Sequence, residues 1–145
     1  MTKTIYVATA LLILSASAFA QKVANYSSGK RGTAAYEHFS FWTKGSKRVE
    51  IIYSYGKNDK TQPAQYLGKT TYKGKPGFKV GLPGNYQLYV IPEGINLRVI
   101  GPTKKYNKLF AWEYEGPVNG IGTFCDVCAD DEKAAMQLVK AYFIH

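Results

Sequence analysis

The sequence predicts a mainly β domain: a small antiparallel meander of about seven strands, rolled into a barrel or a two-layer sandwich and followed by one C-terminal amphipathic α-helix. Three observations carry that expectation. Apolar residues alternate with polar ones from residue 37 to residue 114, the period of a strand with one buried face. The alternating runs are short, recur at spacings of about 8–14 residues and end in Gly, Pro or Asn, leaving no room for the crossovers of a parallel sheet. The C-terminal segment then changes to the period of a helix.

A signal peptide is expected over residues 1–20. Lys3 supplies the positive n-region, an apolar run follows from Ile5 to Leu14, and Ala18-Phe19-Ala20 fits the small-x-small pattern of signal peptidase. The run is shorter than the ~20 residues of a membrane span. Cleavage after Ala20, a secreted or periplasmic location and no transmembrane segment in the mature chain are therefore expected. Residues 21–35 are small, polar and basic without periodicity, and read as a flexible basic N-terminal arm; Asn25-Tyr26-Ser27 within it is a glycosylation sequon. Residues 36–145 read as one β-rich domain.

The expected strands follow in order. Phe39 and Phe41 alternate with His38, Ser40 and Trp42; Val49, Ile51, Tyr53 and Tyr55 alternate with Arg48, Glu50, Ile52 and Ser54. A weaker run spans residues 65–72. Phe78, Val80 and Leu82 form the next, then Tyr86, Leu88 and Val90, then Ile95, Leu97 and Val99, and last Phe110, Trp112 and Tyr114. In the helix, expected at about 130–143, Ala135, Leu138, Val139, Tyr142 and Phe143 repeat at i, i+3, i+4, i+7 and i+8. Asp130 or Asp131 can cap it and Glu132 suits the positive end of its dipole. Its apolar stripe should seal an open edge or end of the sheet.

Charge is unevenly distributed. Residues 21–110 hold 16 basic and 4 acidic residues, whereas residues 111–145 hold 2 and 6, so the body is basic and the tail acidic. Lys69, Lys73, Lys75 and Lys79 share parity and form a ridge if the pleat continues through them, with Tyr66 and Tyr72 on the opposite parity. These six are the candidate binding residues. A cationic surface interleaved with tyrosine suits an anionic glycan, an acidic protein or a small ligand. Nucleic acid is not an expected partner of an exported protein.

Catalytic and metal chemistry is sparsely supplied. Cys125-Asp126-Val127-Cys128 is the one recognisable motif, and export favours a structural disulfide between Cys125 and Cys128. A zinc site needs about four ligands, and His38 and His145 are the only imidazoles. A thioredoxin-like dithiol belongs to a βαβ pattern that is missing here, and the acidic run Asp126, Asp130, Asp131 and Glu132 disfavours a thiolate. Residues 116–122 are glycine-rich but lack the Lys-Ser/Thr ending of a phosphate loop. No catalytic residue, metal or cofactor is expected. The expected function is that of an exported non-catalytic binding module, either an inhibitor of a secreted hydrolase or a carrier of a small or glycan ligand. A thiol–disulfide redox protein using Cys125 and Cys128, and a structural or cell-surface adhesion protein, are the alternatives. A barrel interior can hold one small apolar ligand, which a sandwich cannot easily do.

Overall fold

The computed structural model describes residues 22–44, 47–103, 105–114 and 128–145. Within them the chain forms β1 (Lys22–Ser28), β2 (Glu37–Lys44), β3 (Lys47–Tyr55), β4 (Lys60–Tyr72), β5 (Lys75–Leu82), β6 (Tyr86–Glu93), β7 (Asn96–Ile100), β8 (Asn107–Trp112) and α1 (Glu132–Phe143). Each strand pairs antiparallel with the next, and β8 returns to β1 through Tyr26↔Trp112 and Ser27↔Ala111, closing a barrel. The architecture is the barrel of the two expected alternatives. The expected signal peptide and Cys125 lie outside the described residues.

The eighth strand, β1, comes from the segment expected to be a flexible arm. Its sequence lacks a period of two because both of its faces are covered. Ala24 and Tyr26 point into the barrel core, while Val23 and Asn25 face outward and are buried as well. Asn25 accepts a hydrogen bond of 2.8 Å from the Ser40 hydroxyl, and the Ala129 amide donates to the Val23 carbonyl at 2.9 Å, laying the chain after Cys128 along β1. Small and polar residues fill a covered face as readily as apolar ones when their hydrogen bonds are met.

β4 is longer than its weak pattern implied. It pairs with β3 through Lys60–Ala64 and with β5 from Gln65 onward, so it turns a corner of the barrel midway. Pro63 sits in the half that has a neighbour on one side only, where the missing N–H costs no ladder bond. A bulge at the corner, between Tyr66 and Gly68, adds one residue to β4 and inverts the facing of everything after it.

The core is largely aromatic. Phe39 stacks at 5.8 Å from Phe41 and lies tilted at 5.3 Å from Phe110, and Phe41 meets Phe78 and Tyr26 edge-on at 5.8 and 6.1 Å. Val80, Leu88, Val90, Leu97 and Val99 complete the lining. α1 closes the end of the barrel at which β1 begins. Asp131 caps it, accepting from the Ala134 amide at 2.8 Å. Phe143 packs 5.4 Å from Phe41 and 5.2 Å from Phe78. The buried stripe is Ala135, Met136, Val139 and Phe143. It is rotated from the expected one, leaving Leu138 and Tyr142 half-buried on its flank, because Met136 adds an apolar position on the opposite side.

The opposite mouth is polar. Glu37, on the inward parity of β2, accepts from the Tyr106 hydroxyl and the Lys108 ammonium and so ties β2 to β8 across the opening. Burial raises the pKa of Tyr53 and Tyr106 well above that of a free phenol, and the nearby Glu37 carboxylate raises both further.

Candidate functional site

Three regions compete for the role of a site: the barrel interior, the lysine-bearing outer face and a polar groove on β2 and β3. The interior is occupied by the protein's own rings. Tyr26, Phe39, Phe41, Phe78, Phe110 and Phe143 are fully buried and mutually in contact, at one end against the helix and at the other beneath the Glu37 cluster.

The lysine ridge is only partly continuous. β4 and β5 are joined by a two-residue turn, Lys73-Gly74, both with positive φ, as a tight hairpin requires. Across such a turn Tyr72 pairs with Lys75, so odd and even numbers face the same side. Lys75 and Lys79 therefore share their face with Tyr72, not with Lys69, which pairs with the core residue Phe78 and belongs to the other face. The single ridge through Lys69, Lys73, Lys75 and Lys79 is thus corrected. Tyr66 is separated from Tyr72 by the bulge. It turns inward against Phe78 and Phe143, and its hydroxyl donates to the Phe143 carbonyl at 3.1 Å.

The turn and the outer face of β5–β8 do assemble a cleft of about 200 Å³. Ile91 and Ile100, both buried, lie beneath walls supplied by Tyr72, Lys73, Lys75, Arg98 and Asn107. Tyr72 and Tyr89 pack at 5.5 Å, the Lys79 ammonium sits 5.5 Å from the centre of the Tyr89 ring, and that of Lys73 sits 5.8 Å from the centre of Tyr72. Among the described residues the one carboxylate lining this cleft is Glu93, which accepts two bonds of 2.9 Å from Arg98. That pairing holds the Glu93 carboxyl below its usual range and raises the guanidinium further. Gly77 lies between Lys75 and Lys79 on the strand. A Cβ there would stand 2.4 Å from the Val90 carbonyl oxygen, so the position stays bare. Arg98, Tyr89 and the isoleucine floor escaped the sequence reading because they are joined to the lysines by strand register alone.

The polar groove, of about 310 Å³, lies on the outer face of β2 and β3 beneath the segment that joins β1 to β2. His38, Ser40 and Ser54, three of the few buried polar residues of the described chain, line it together with Trp42, Tyr36 and Asp59. Tyr36 is only 1% exposed. It accepts from the Arg31 guanidinium at 3.2 Å, donates to Glu113 at 2.9 Å and lies parallel to His38 at 6.2 Å. Burial pushes its phenol up to about 12.

Cys128 is 5% exposed and lies against Val23. Among the described residues no three His, Cys, Asp or Glu side chains converge as ligands for a metal ion, and no helix is long and apolar enough to cross a membrane. Comparison with known proteins finds no family model, curated protein or solved structure that matches the chain.

Proposed function

We propose that this is an exported, non-catalytic binding module that recognises an anionic glycan through the outer face of β5–β8, not through the interior of the barrel. One observation carries the reading: Lys73, Lys75 and Lys79 surround the Tyr72–Tyr89 pair beside a cleft with a buried isoleucine floor, whose carboxylate among the described residues, Glu93, is already paired with Arg98. Tyrosine faces suit the C–H faces of sugar rings, and ammonium groups suit uronate or sulfate. Such cations also steer a polyanion toward the surface at low ionic strength. A carrier that encloses an apolar molecule is disfavoured by a core already filled with rings.

The Cys125–Cys128 bridge belongs to the same proposal as a local structural link. Burial of Cys128 and the anchoring of Ala129 to β1 support it over a reactive dithiol, which needs solvent access. Titration calorimetry of the mature protein with polygalacturonate tests the function. Binding that weakens steeply with added salt is expected. No binding to polygalacturonate or to sulfated polysaccharide at low salt would overturn the reading.

A further inference from the structure

We infer that the groove on β2 and β3 is a second binding site, for a neutral saccharide, independent of the cationic cleft. Polar residues buried on the outside of a barrel wall contribute nothing to its apolar core, and burying them has a cost. Here they are gathered in one concavity. His38 and Ser54 are register partners, Ser40 sits two residues along β2, and the Ser54 hydroxyl is 3.2 Å from that of Thr61 on β4. The hydroxyls thus form a short row across three strands.

Trp42 continues the same face of β2 and lines the groove. Its indole Nε1 is buried and, among the described residues, has no hydrogen-bond partner. An indole N–H is a donor only, so a ligand oxygen is the group that would satisfy it. A ring face, a row of hydroxyls and an orphan donor in one concavity match a pyranose, which has a C–H face and a rim of oxygens. The volume of about 310 Å³ falls at the lower end of small-ligand sites.

The charge of the groove points to a neutral ligand. Arg31 is engaged by Tyr36 and lies 3.6 Å from Glu113, and Asp59 contributes a carboxylate at the rim, so neither sign prevails. The cationic cleft lies instead on β5–β8 and shares no lining residue with the groove. The two sites can therefore be separated by mutation.

The test uses the mature protein carrying Trp112→Phe, which leaves Trp42 as its one tryptophan. Its fluorescence is followed during titration with neutral hexasaccharides of glucose, mannose and N-acetylglucosamine. At least one is expected to shift and saturate the emission, with an affinity insensitive to salt and unchanged by K75Q/K79Q. Ser40→Val and Asp59→Asn, made in the same background, are expected to weaken that affinity at least tenfold while the far-ultraviolet circular dichroism stays that of the parent. No saturable shift with any of the three sugars would overturn the inference. So would a shift abolished by K75Q/K79Q, which would assign the sugar to the cationic cleft.

Discussion

The Tyr66 hydroxyl, on the barrel wall, donates to the carbonyl of Phe143 in the last turn of α1, and the two rings lie 5.7 Å apart. Residues 77 positions apart in sequence are thereby joined at the closed end of the barrel. Phe143→Ala should cost about 3–5 kcal/mol, because it removes a buried ring from between Phe41, Phe78 and Tyr66. Tyr66→Phe should cost about 1 kcal/mol, the net worth of one hydrogen bond. Leu138→Ala, on the half-buried flank of the helix, should cost less than Val139→Ala. Urea denaturation of the four variants checks the order; equal costs for Leu138 and Val139 would contradict the observed rotation of the helix.

The Glu37 cluster holds the other mouth. Glu37→Ala removes the carboxylate to which the Tyr106 hydroxyl and the Lys108 ammonium donate, and should destabilise by roughly 1–3 kcal/mol. Tyr106→Phe combined with Glu37→Ala should cost less than the sum of the two single changes. A double-mutant cycle reads that coupling, and strict additivity would deny it.

Four phenols predict alkaline behaviour. Burial raises the pKa of Tyr26, Tyr36, Tyr53 and Tyr106 above that of the unfolded chain, Tyr36 to about 12. The unfolded chain releases these protons first. Their contribution to stability is therefore complete below about pH 10 and is lost as pH rises through the folded-state values. Unfolding free energies should be level in this respect near pH 9 and fall steeply by about pH 11. Phenolate absorbance should appear in full only on unfolding; its complete appearance in the folded protein at about pH 11 would contradict the prediction.

The proposed bridge is local. Replacing Cys125 and Cys128 by Ser should cost at most about 2 kcal/mol, since the loop it closes is very short. Polygalacturonate binding should survive that change. Mass spectrometry of the unreduced protein after alkylation should find neither thiol modified; labelling of both would remove the bridge.

The fold was legible in the sequence wherever one face of a strand is buried and the other exposed. Phe39 and Phe41, or Leu97 and Val99, announce themselves by alternation. β1 did not, because Val23 and Asn25 are covered outside the barrel as fully as Ala24 and Tyr26 are inside it. The site was harder to read for a geometric reason. The two-residue turn at Lys73-Gly74 and the bulge before Gly68 each invert parity, so residues that share odd numbers do not share a face. Neither inversion leaves a mark in the hydrophobic pattern. The groove with Trp42 and Tyr36 depends on how the segment between β1 and β2 folds back over the wall, which periodicity does not report.

The same inversion supplies the most direct test of the proposed function. Lys69 lies on the opposite face of the hairpin from Lys75 and Lys79, yet carries the same charge. The dissociation constant for polygalacturonate should be compared between K69Q/K60Q and K75Q/K79Q, two variants of identical net charge. K75Q/K79Q is expected to weaken binding at least tenfold and to flatten its salt dependence, while K69Q/K60Q changes it little. Equal weakening by both pairs would show that the polymer answers to net charge alone, and would contradict a built site on β5–β8.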